Sequence, residues 1–369
     1  MKILVINSGS SSIKYKLFDN DIEILSGIKE EVVSYKHSIN EIFQKIDFNC
    51  IDAIAHRVVH GGEYFSKATI ITNDVIDKIA SLIPLAPLHN PSNLEAIKII
   101  QQEHPNITQV AVFDTAFHQT LPIENFLYPI DKTLYTKHHI RKYGFHGTSH
   151  QYVSNEASNF LKKDINNFNA ISLHLGNGDS ITAIKNGKSI DTSMGFTPLA
   201  GLMMGTRSGD IDPSILIYLE NTLGYNKEQL DRLLNKNSGF KGLVGTNNLK
   251  DILKMKENGD EYAKIAIDIF VKRVRDYMGS YIIELGNVDT IIFTGGIGEN
   301  SSYIRESICK NLYDLIKLKI DNNKNIKLSK NSINDITHID SKIKILVIKT
   351  NEEKSIAIQS KIELENINV

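Results

Sequence analysis

The chain is poor in cysteine: Cys50 and Cys309 stand far apart among 369 residues. They form neither a disulfide framework nor a CxxC pair, which excludes a disulfide-stapled fold and a thiol-ligated metal cluster; both read as incidental packing or surface residues. Long apolar runs are also missing. No stretch approaches the roughly 20 residues of a membrane-spanning helix. The run from Met1 to Asn7 is too short for a signal peptide and reads as a strand. Excess charge of either sign is absent, since 42 basic residues face 43 acidic ones and the net charge is −1. Nothing in that balance favours nucleic acid or a membrane surface as a partner, so any cationic site must be local. A soluble cytoplasmic protein is expected. Two phosphate fingerprints fail as well. The nearest approach to a P-loop is Gly187-Lys188-Ser189, but the glycine required five residues earlier is Thr182. The segment opening at Gly176, GNGDSI, lacks the third glycine of a dinucleotide fingerprint.

What is present is a repeated alternation of strands and helices. Hydrophobic residues make up 41%, enough for ordinary cores, and the length suits two domains. Residues 2–6 (KILVI) are a continuous apolar run, as for a strand buried on both faces. A turn at 7–12 leads to an alternating strand at 13–18 and a further strand at 22–27. A helix is expected at 38–47, strands at 52–58 and 109–114, and between them a helix at 91–102 with Pro91 in its first turn. The pattern restarts with a buried strand at 170–175, a turn at 176–180, a strand at 181–185 and the hairpin signature Asn186-Gly187. A helix around 261–285, a strand at 289–294, a helix after Asn300 and a strand at 343–348 follow. Residues 318–344, rich in Asn, Lys, Asp and Ser, read as a solvated surface segment. Interleaved strands and helices indicate an α/β fold. Strand, small-polar turn, strand at residue 3 and again at 171 reads as an internal duplication, hence two similar domains facing each other across a cleft.

Three turns follow buried strands: Asn7-Ser8-Gly9-Ser10-Ser11-Ser12 with Lys14 just beyond, Gly176-Asn177-Gly178-Asp179-Ser180, and Gly295-Gly296-Ile297-Gly298-Glu299-Asn300. Small residues let backbone N–H groups approach phosphate oxygens, and hydroxyls add donors. One such turn is an ordinary hairpin; three in equivalent settings suggest phosphoryl transfer, which needs phosphate cradles, cations and carboxylates for Mg²⁺. Arg57 in HRVVHGG and Arg207 in MMGTRSGD sit beside glycines that leave room for a ligand. Asp114 ends QVAVFD, and Glu352 and Glu353 follow the strand ending at Ile348, where α/β sheets place ligand chemistry. Asp114 reads equally well as the N-cap of a following helix. His56 and His60 would ligate a metal only from a helix, and their segment reads as strand then turn. Among His89, His118, His146, His150 and His174, His146 in YGFHGTSH is the best candidate to donate to an oxygen of a transferring phosphoryl group.

Taken in order, ILVINSGSSSIKYKLF, HRVVHGGE, PLAPLHNP, VAVFDTAFHQTLP, YGFHGTSH, LHLGNGDS, GFTPLAGLMMGTRSGDIDPS, FTGGIGENS and TNEE run from residue 3 to residue 353. With these motifs the chain resembles the acetokinase family, short-chain acyl kinases of the actin, sugar-kinase and heat-shock-chaperone (ASKHA) superfamily. The resemblance implies two duplicated, ribonuclease H-like ASKHA domains flanking a cleft. It implies an N-terminal domain of residues 1–145 plus 352–369, with a returning C-terminal helix, and a second, nucleotide-side domain of 146–351. The implied activity is reversible in-line transfer of the ATP γ-phosphoryl group to acetate, giving acetyl phosphate and ADP. Propionate as acceptor, or another phosphoryl donor such as pyrophosphate, is the alternative. Ser8, where butyrate kinases carry Pro, favours the acetate and propionate side. Mg²⁺ or Mn²⁺ is the implied cofactor and a homodimer the implied assembly.

By the same resemblance Arg57 and Arg207 stabilise the transition state, His146 assists them, Asp114 is catalytic, and Asn7 and Glu352 help hold the metal. Asn7, Ser10, Ser12 and Lys14 match the first phosphate segment; His174, Asn177 and Gly178 match the second. Gly205, Asn248, Lys250, Gly295, Gly296, Ile297, Gly298 and Asn300 fit the nucleotide side. Val59, Leu88, Phe145 and Pro198 match a small apolar pocket for the acyl methyl, which should discriminate poorly against one extra methylene. The chain departs from the family at Thr246-Asn247-Asn248-Leu249-Lys250-Asp251, where the family reads close to SSDMRD. Lys250 in place of Arg loses planar stacking on a base, which raises the question of the donor. Lys349-Thr350 also stands where a Pro usually precedes TNEE.

Overall fold

The computed structural model describes residues 1–9, 12–46 and 50–366. Ser10 and Ser11 of the first turn and residue 47 of the first expected helix lie outside them. The chain divides into two compact units. Unit 1 comprises Met1–Gln119, Phe145–Tyr152 and Asn351–Val369; unit 2 comprises Thr120–Gly144 and Val153–Thr350.

Unit 1 is built on β1 (Lys2–Ser8), β2 (Ser12–Asp19), β3 (Ile22–Glu30), β4 (Ala53–Val58), β5 (Thr69–Ile70) and β6 (Thr108–Phe113), in the order β3-β2-β1-β4-β6-β5. Unit 2 carries β7 (Ala170–His174), β8 (Ser180–Lys185), β9 (Lys188–Thr192), β10 (Thr290–Thr294), β11 (Ile333–Asp335) and β12 (Lys344–Ile348), in the order β9-β8-β7-β10-β12-β11. The two sheets match strand for strand. In each the first three strands are an antiparallel meander, the next two run parallel to the first, and an antiparallel strand closes the far edge. This is the duplication expected from the two strand–turn–strand signatures.

Local sequence explains the pattern. Ile3 to Ile6 are buried, as is all of β10, because central strands are covered on both faces. In β2, buried Ile13 and Tyr15 flank exposed Lys14, the alternation of a strand with one dry face. At the β8–β9 hairpin Asn186 (φ 51°) and Gly187 (φ 73°) both take the left-handed conformation of a tight two-residue turn.

Helices α1 (Tyr35–Phe43) and α2 (Asn90–Glu103) cover one face of the first sheet. Ile39, Ile42, Ala96 and Ile100 pack there with Leu4, Ile6 and Ile54. The chain passes from unit 1 to unit 2 within α3 (Gly147–Leu161). In unit 2 lie α4 (Ser214–Leu223), α5 (Leu249–Glu257) and α6 (Glu261–Leu285). The buried residues of α6, from Ala263 and Ala266 through Phe270, Val274 and Met278 to Tyr281 and Leu285, recur every three or four positions, the stripe that a sheet-packed helix needs. After β10 come α7 (Gly295–Asn300) and α8 (Ser302–Cys309), and the chain returns to unit 1 with α9 (Glu352–Glu365). Ile356 and Ala357 of α9 close the second face of the first sheet against Ile3, Val5, Ala55, Val110 and Val112, each buried Ile or Val contributing about 1.5–3 kcal/mol.

Two expectations change. Gly295–Asn300 is not an open turn before a helix; it is itself a helical turn, α7, beginning where β10 ends. Residues 318–344 are not simply solvated. They contain edge strand β11 and a short helix Asn322–Ile326, and Leu318, Asn325, Ile336 and Thr337 are buried. Composition misleads there because an edge strand keeps a polar, wetted side. Among the described residues no helix is long and apolar enough to cross a membrane.

Candidate active site

In unit 1 the carboxyl ends of β1, β4 and β6 lie side by side. Parallel pairing in which Ile6 faces His56 brings Asn7 level with Arg57, and antiparallel pairing sets Asn7 opposite Lys14. Asp114 follows β6 directly, its N–H donating to the Val58 carbonyl at 3.1 Å. Arg57 then reaches Asp114 in a fork: Nε donates to Oδ1 and Oδ2 at 3.0 and 3.1 Å, and Nη2 to Oδ2 at 2.5 Å. Asn7 Oδ1 accepts from Arg57 Nη1 at 3.4 Å, and Glu352 Oε2, at the start of α9, stands 3.8 Å from Nε. Burial works against the Arg57 charge, but Asp114, Glu352 and Glu353 outweigh it and hold its pKa above the ordinary value. Asp114 is therefore an ion-pair partner; the side-chain N-cap alternative has no support from its contacts.

The same end of the sheet is braced by residues that the motifs contain but the sequence reading did not assign. Asn93 Oδ1 accepts from Val59 N–H at 3.1 Å while its Nδ2 donates to the Ser8 carbonyl at 2.7 Å. Asn90 exchanges two bonds with the His60 backbone, both at 3.1 Å. Thr148 Oγ1 donates to Asp114 Oδ1 at 3.2 Å. Gly147 N–H donates to the Asp114 carbonyl at 2.9 Å, and a Cβ on Gly147 would lie 2.2 Å from that oxygen, so the backbones approach as only glycine allows. His146, just before, has φ 56°. A sequence cue existed for Asn90 and Asn93, both in or beside the PLHNP motif; nothing in the sequence marks Thr148 as a partner of Asp114.

His56 and His60 are spent internally. His56 Nε2 pairs with Gln109 Oε1 at 2.7 Å, and His60 Nδ1 accepts from Gly62 N–H at 3.1 Å. Burial pushes both down to about 4, only partly opposed at His56 by Gln109, so both are neutral near pH 7. Of the four acyl-pocket candidates, Phe145 is buried with its ring edge-on to His60 (centroids 5.8 Å apart), and Val59 is tied by Asn93. Leu88 is 66% exposed, and Pro198 belongs to unit 2.

In unit 2 the corresponding sheet edge gathers the other candidates. His174 ends β7, paired with Ser180 and Thr294. The Gly176–Ser180 turn is closed by buried Asp179, whose Oδ1 accepts from Gly176 N–H. Asn177 is its hub: its carbonyl accepts from Gly205 N–H at 3.2 Å, and its Oδ1 accepts from Asn247 Nδ2 at 2.8 Å. A Cβ on Gly205 would lie 2.2 Å from Asn177 Oδ1, so position 205 has no room for a side chain. A Cβ on Gly176 would lie 3.6 Å from Gly296 N, which brings the second and third turns together. In α7, Gly295 N–H donates to Glu299 Oε1 at 3.0 Å, and Ile297 and Gly298 N–H both donate to the Leu175 carbonyl at 2.7 and 3.1 Å. Those amides are used by the protein, so α7 does not present a bare helix N-terminus to an anion. Asn300 Nδ2 donates back to the Gly296 carbonyl at 2.8 Å.

Arg207 stands in a different state from Arg57. Its Nη1 donates to the Pro198 carbonyl at 3.3 Å and contacts Met204 Sδ at 3.6 Å. Burial lowers its pKa, with Asp179 opposing. Asn248, in the segment that departs from the family pattern, is the N-cap of α5, its Oδ1 accepting from Lys250 N–H at 3.0 Å. Asn serves that cap as well as Asp, so the substitution at 248 costs the local structure little, and Lys250 is exposed.

Among the described residues no three His, Cys, Asp or Glu side chains group to cage a metal. Asn7 Oδ1 and Glu352 Oε2, both beside Arg57, offer one amide and one carboxylate oxygen. That sparse, hard donor set suits Mg²⁺, which keeps several waters and shares phosphate oxygens, and suits neither Zn²⁺ nor Ca²⁺.

The model of the acetokinase family matches residues 31–358. An acetate kinase from a Sulfurovum species is 44% identical, covering 100% of both chains. The crystal structure of Porphyromonas gingivalis acetate kinase superposes with a TM-score of 0.93 at 38% identity, covering 98% of this chain and 99% of that one. A propionate kinase from Francisella tularensis gives a TM-score of 0.90 at 44% identity, covering 97% and 98%. A family match over most of the sequence and a full-length relative at this identity carry one conclusion: the chain belongs to the acetokinase family.

Proposed function

We infer that the protein is an acyl kinase that transfers the γ-phosphoryl group of ATP reversibly to acetate, forming acetyl phosphate and ADP. The observation that carries this reading is the Arg57–Asp114 fork at the carboxyl ends of β1, β4 and β6, with Asn7 and Glu352 beside it. In this proposal Arg57, its fork fixed by Asp114, turns its remaining donors to the phosphoryl oxygens, and Arg207 supplies a second guanidinium. His146 donates a hydrogen bond to the same group. Lys14 and the first turn, with Ser10 and Ser12, bind phosphate oxygens; Ser10 lies outside the described residues. His174, Asn177, Gly178, Gly205, Asn248, Lys250 and the 295–300 segment hold the nucleotide. Val59, Phe145, Leu88 and Pro198 receive the acyl methyl. Asn7 and Glu352 would hold Mg²⁺, which neutralises charge on the β- and γ-phosphates when bound.

The test is an initial-rate assay with Mg²⁺ in which hydroxylamine traps the acyl phosphate. Acetate, propionate and butyrate are each paired with ATP, GTP and pyrophosphate. Acetate with ATP is expected to be fastest, with propionate within about 10–200-fold because one methylene is worth only about 1–3 kcal/mol. Trapping with pyrophosphate alone would move the donor assignment, and the absence of trapping with every pair would overturn the reading.

The proposal includes a homodimer. None of the residues of α4 is buried, although Ile215, Ile217, Tyr218 and Leu223 lie along it, and apolar surface on that scale favours a partner. Light scattering after size exclusion is expected to give twice the chain mass, falling to one chain for the double variant Ile217→Asp, Tyr218→Glu. A monomeric parent would remove the dimer. A cytoplasmic setting is in keeping with Cys309, a buried thiol pushed up to about 12 by burial and inert to exchange.

A further inference from the structure

Arg305, on α8, is the largest fully buried side chain of the described residues, 1% exposed. Burial lowers its pKa to about 10, which still leaves it charged. None of its hydrogen bonds among the described residues goes to a carboxylate. Its partners are neutral instead. Nη1 donates to the carbonyls of Gly298 (2.8 Å) and Glu299 (3.0 Å), Nε to Asn325 Oδ1 (2.7 Å) and Nη2 to the Asn325 carbonyl (2.8 Å). Asn325 is also 1% exposed and donates through Nδ2 to the Ser302 carbonyl at 2.9 Å.

A buried cation held by neutral groups is costly, and its retention points to a geometric task. The two carbonyls it holds close the C-terminal end of α7, where a positive charge also complements the helix dipole. The other end is equally fixed. Glu299 Oε1 accepts from Gly295 N–H and from Thr350 N–H (3.1 Å), and the Leu175 carbonyl takes the amides of Ile297 and Gly298. A Cβ on Gly176 would lie 3.6 Å from Gly296 N, so the fixed segment sits against the second turn.

We propose that Arg305, seated by Asn325, is a positioning residue for the nucleotide: it fixes the 295–300 segment in place against the Gly176–Ser180 turn. The inference rests on the nucleotide reading of unit 2. Asn325 belongs to the polar 318–344 stretch, which gives that stretch a task its composition does not suggest.

Arg305→Lys keeps a charge but loses the planar fork that spans two carbonyls and Asn325. Its KM for ATP is expected to rise about tenfold, with KM for acetate and kcat at saturating ATP within about twofold. Asn325→Ala leaves the carbonyl bonds and loosens the seat, so the same split should appear at about threefold; it carries the test if Arg305→Lys does not fold. Calorimetric titration with Mg²⁺-ADP reads the same loss without catalysis. It therefore separates this proposal from the acyl-kinase reading, which parental trapping tests alone. An unchanged affinity for ADP in both variants, or an equal rise in KM for acetate and ATP, would overturn the proposal.

Discussion

Arg207→Ala is expected to lower kcat by about 10³-fold or more, with much smaller changes in KM for ATP and acetate. The reason lies in how little holds the guanidinium. Its protein contacts are one carbonyl at 3.3 Å and one thioether at 3.6 Å, and no carboxylate reaches ion-pair distance among the described residues. Partial burial strips water from the cation without giving it an ion pair, and the pKa is lowered accordingly, yet guanidinium stays charged at any working pH. Such a charge interacts most strongly with an anion whose charge is growing, because less of its field is already neutralised. The loop that carries it does not depend on the side chain. Met204 N–H donates to the Arg207 carbonyl at 3.1 Å, Ser238 N–H to Thr206 at 3.0 Å, Phe240 N–H to Met204 at 3.0 Å and Lys241 N–H to Gly205 at 2.9 Å. Truncation should thus leave the thermal midpoint nearly unchanged while the trapping rate collapses. Arg207→Lys should recover little, since an ammonium lacks the fork for two phosphoryl oxygens. A kcat for Arg207→Ala within tenfold of the parent would remove the residue from the transfer step.

The contrast between Arg207 and Arg57 was not legible in the sequence, where both appear as lone arginines beside glycines. What separates them is distance along the chain: Arg57 meets Asp114 because β4 and β6 pair in parallel, a contact spanning 57 residues. Strands with strong periodicity were readable, since burial on one or both faces leaves a period in the sequence; β1, β7 and β10 are examples. The duplication was readable for the same reason. α7 was not, because the three glycines of GGIGEN argue against a helix. It is helical through tertiary bonds to Leu175 and Arg305, with Glu299 accepting from its own first amide. Asn93, Thr148 and Arg305 escaped because their partners are backbone groups or side chains far along the chain. Within the 246–251 departure, the change at 248 keeps its local task, since Asn248 caps α5.

Asp114→Asn is expected to lower kcat by about 10²-fold and to lower the thermal midpoint by several degrees. The carboxylate is 2% exposed and accepts three bonds from Arg57 and one from Thr148. An amide keeps one acceptor, enough for Nε and the Thr148 hydroxyl, but its NH₂ group must face Arg57 Nη2, donor against donor. Removing one partner of a buried ion pair costs about 3–5 kcal/mol, and the amide, which retains half of the acceptors, should fall at or below the low end. The chemical defect follows from where Arg57 goes next. Glu352 Oε2, already 3.8 Å from Nε, becomes its nearest acid, so the guanidinium moves toward the oxygen proposed to hold Mg²⁺. One substitution then misaims the cation and occupies the metal's carboxylate, so the Mg²⁺ concentration for half-maximal rate should rise as kcat falls. Rates taken well below the lowered midpoint separate this from unfolding. If kcat stays within threefold and the Mg²⁺ dependence does not move, the fork serves only to hold β4 against β6, and Asp114 leaves the catalytic set.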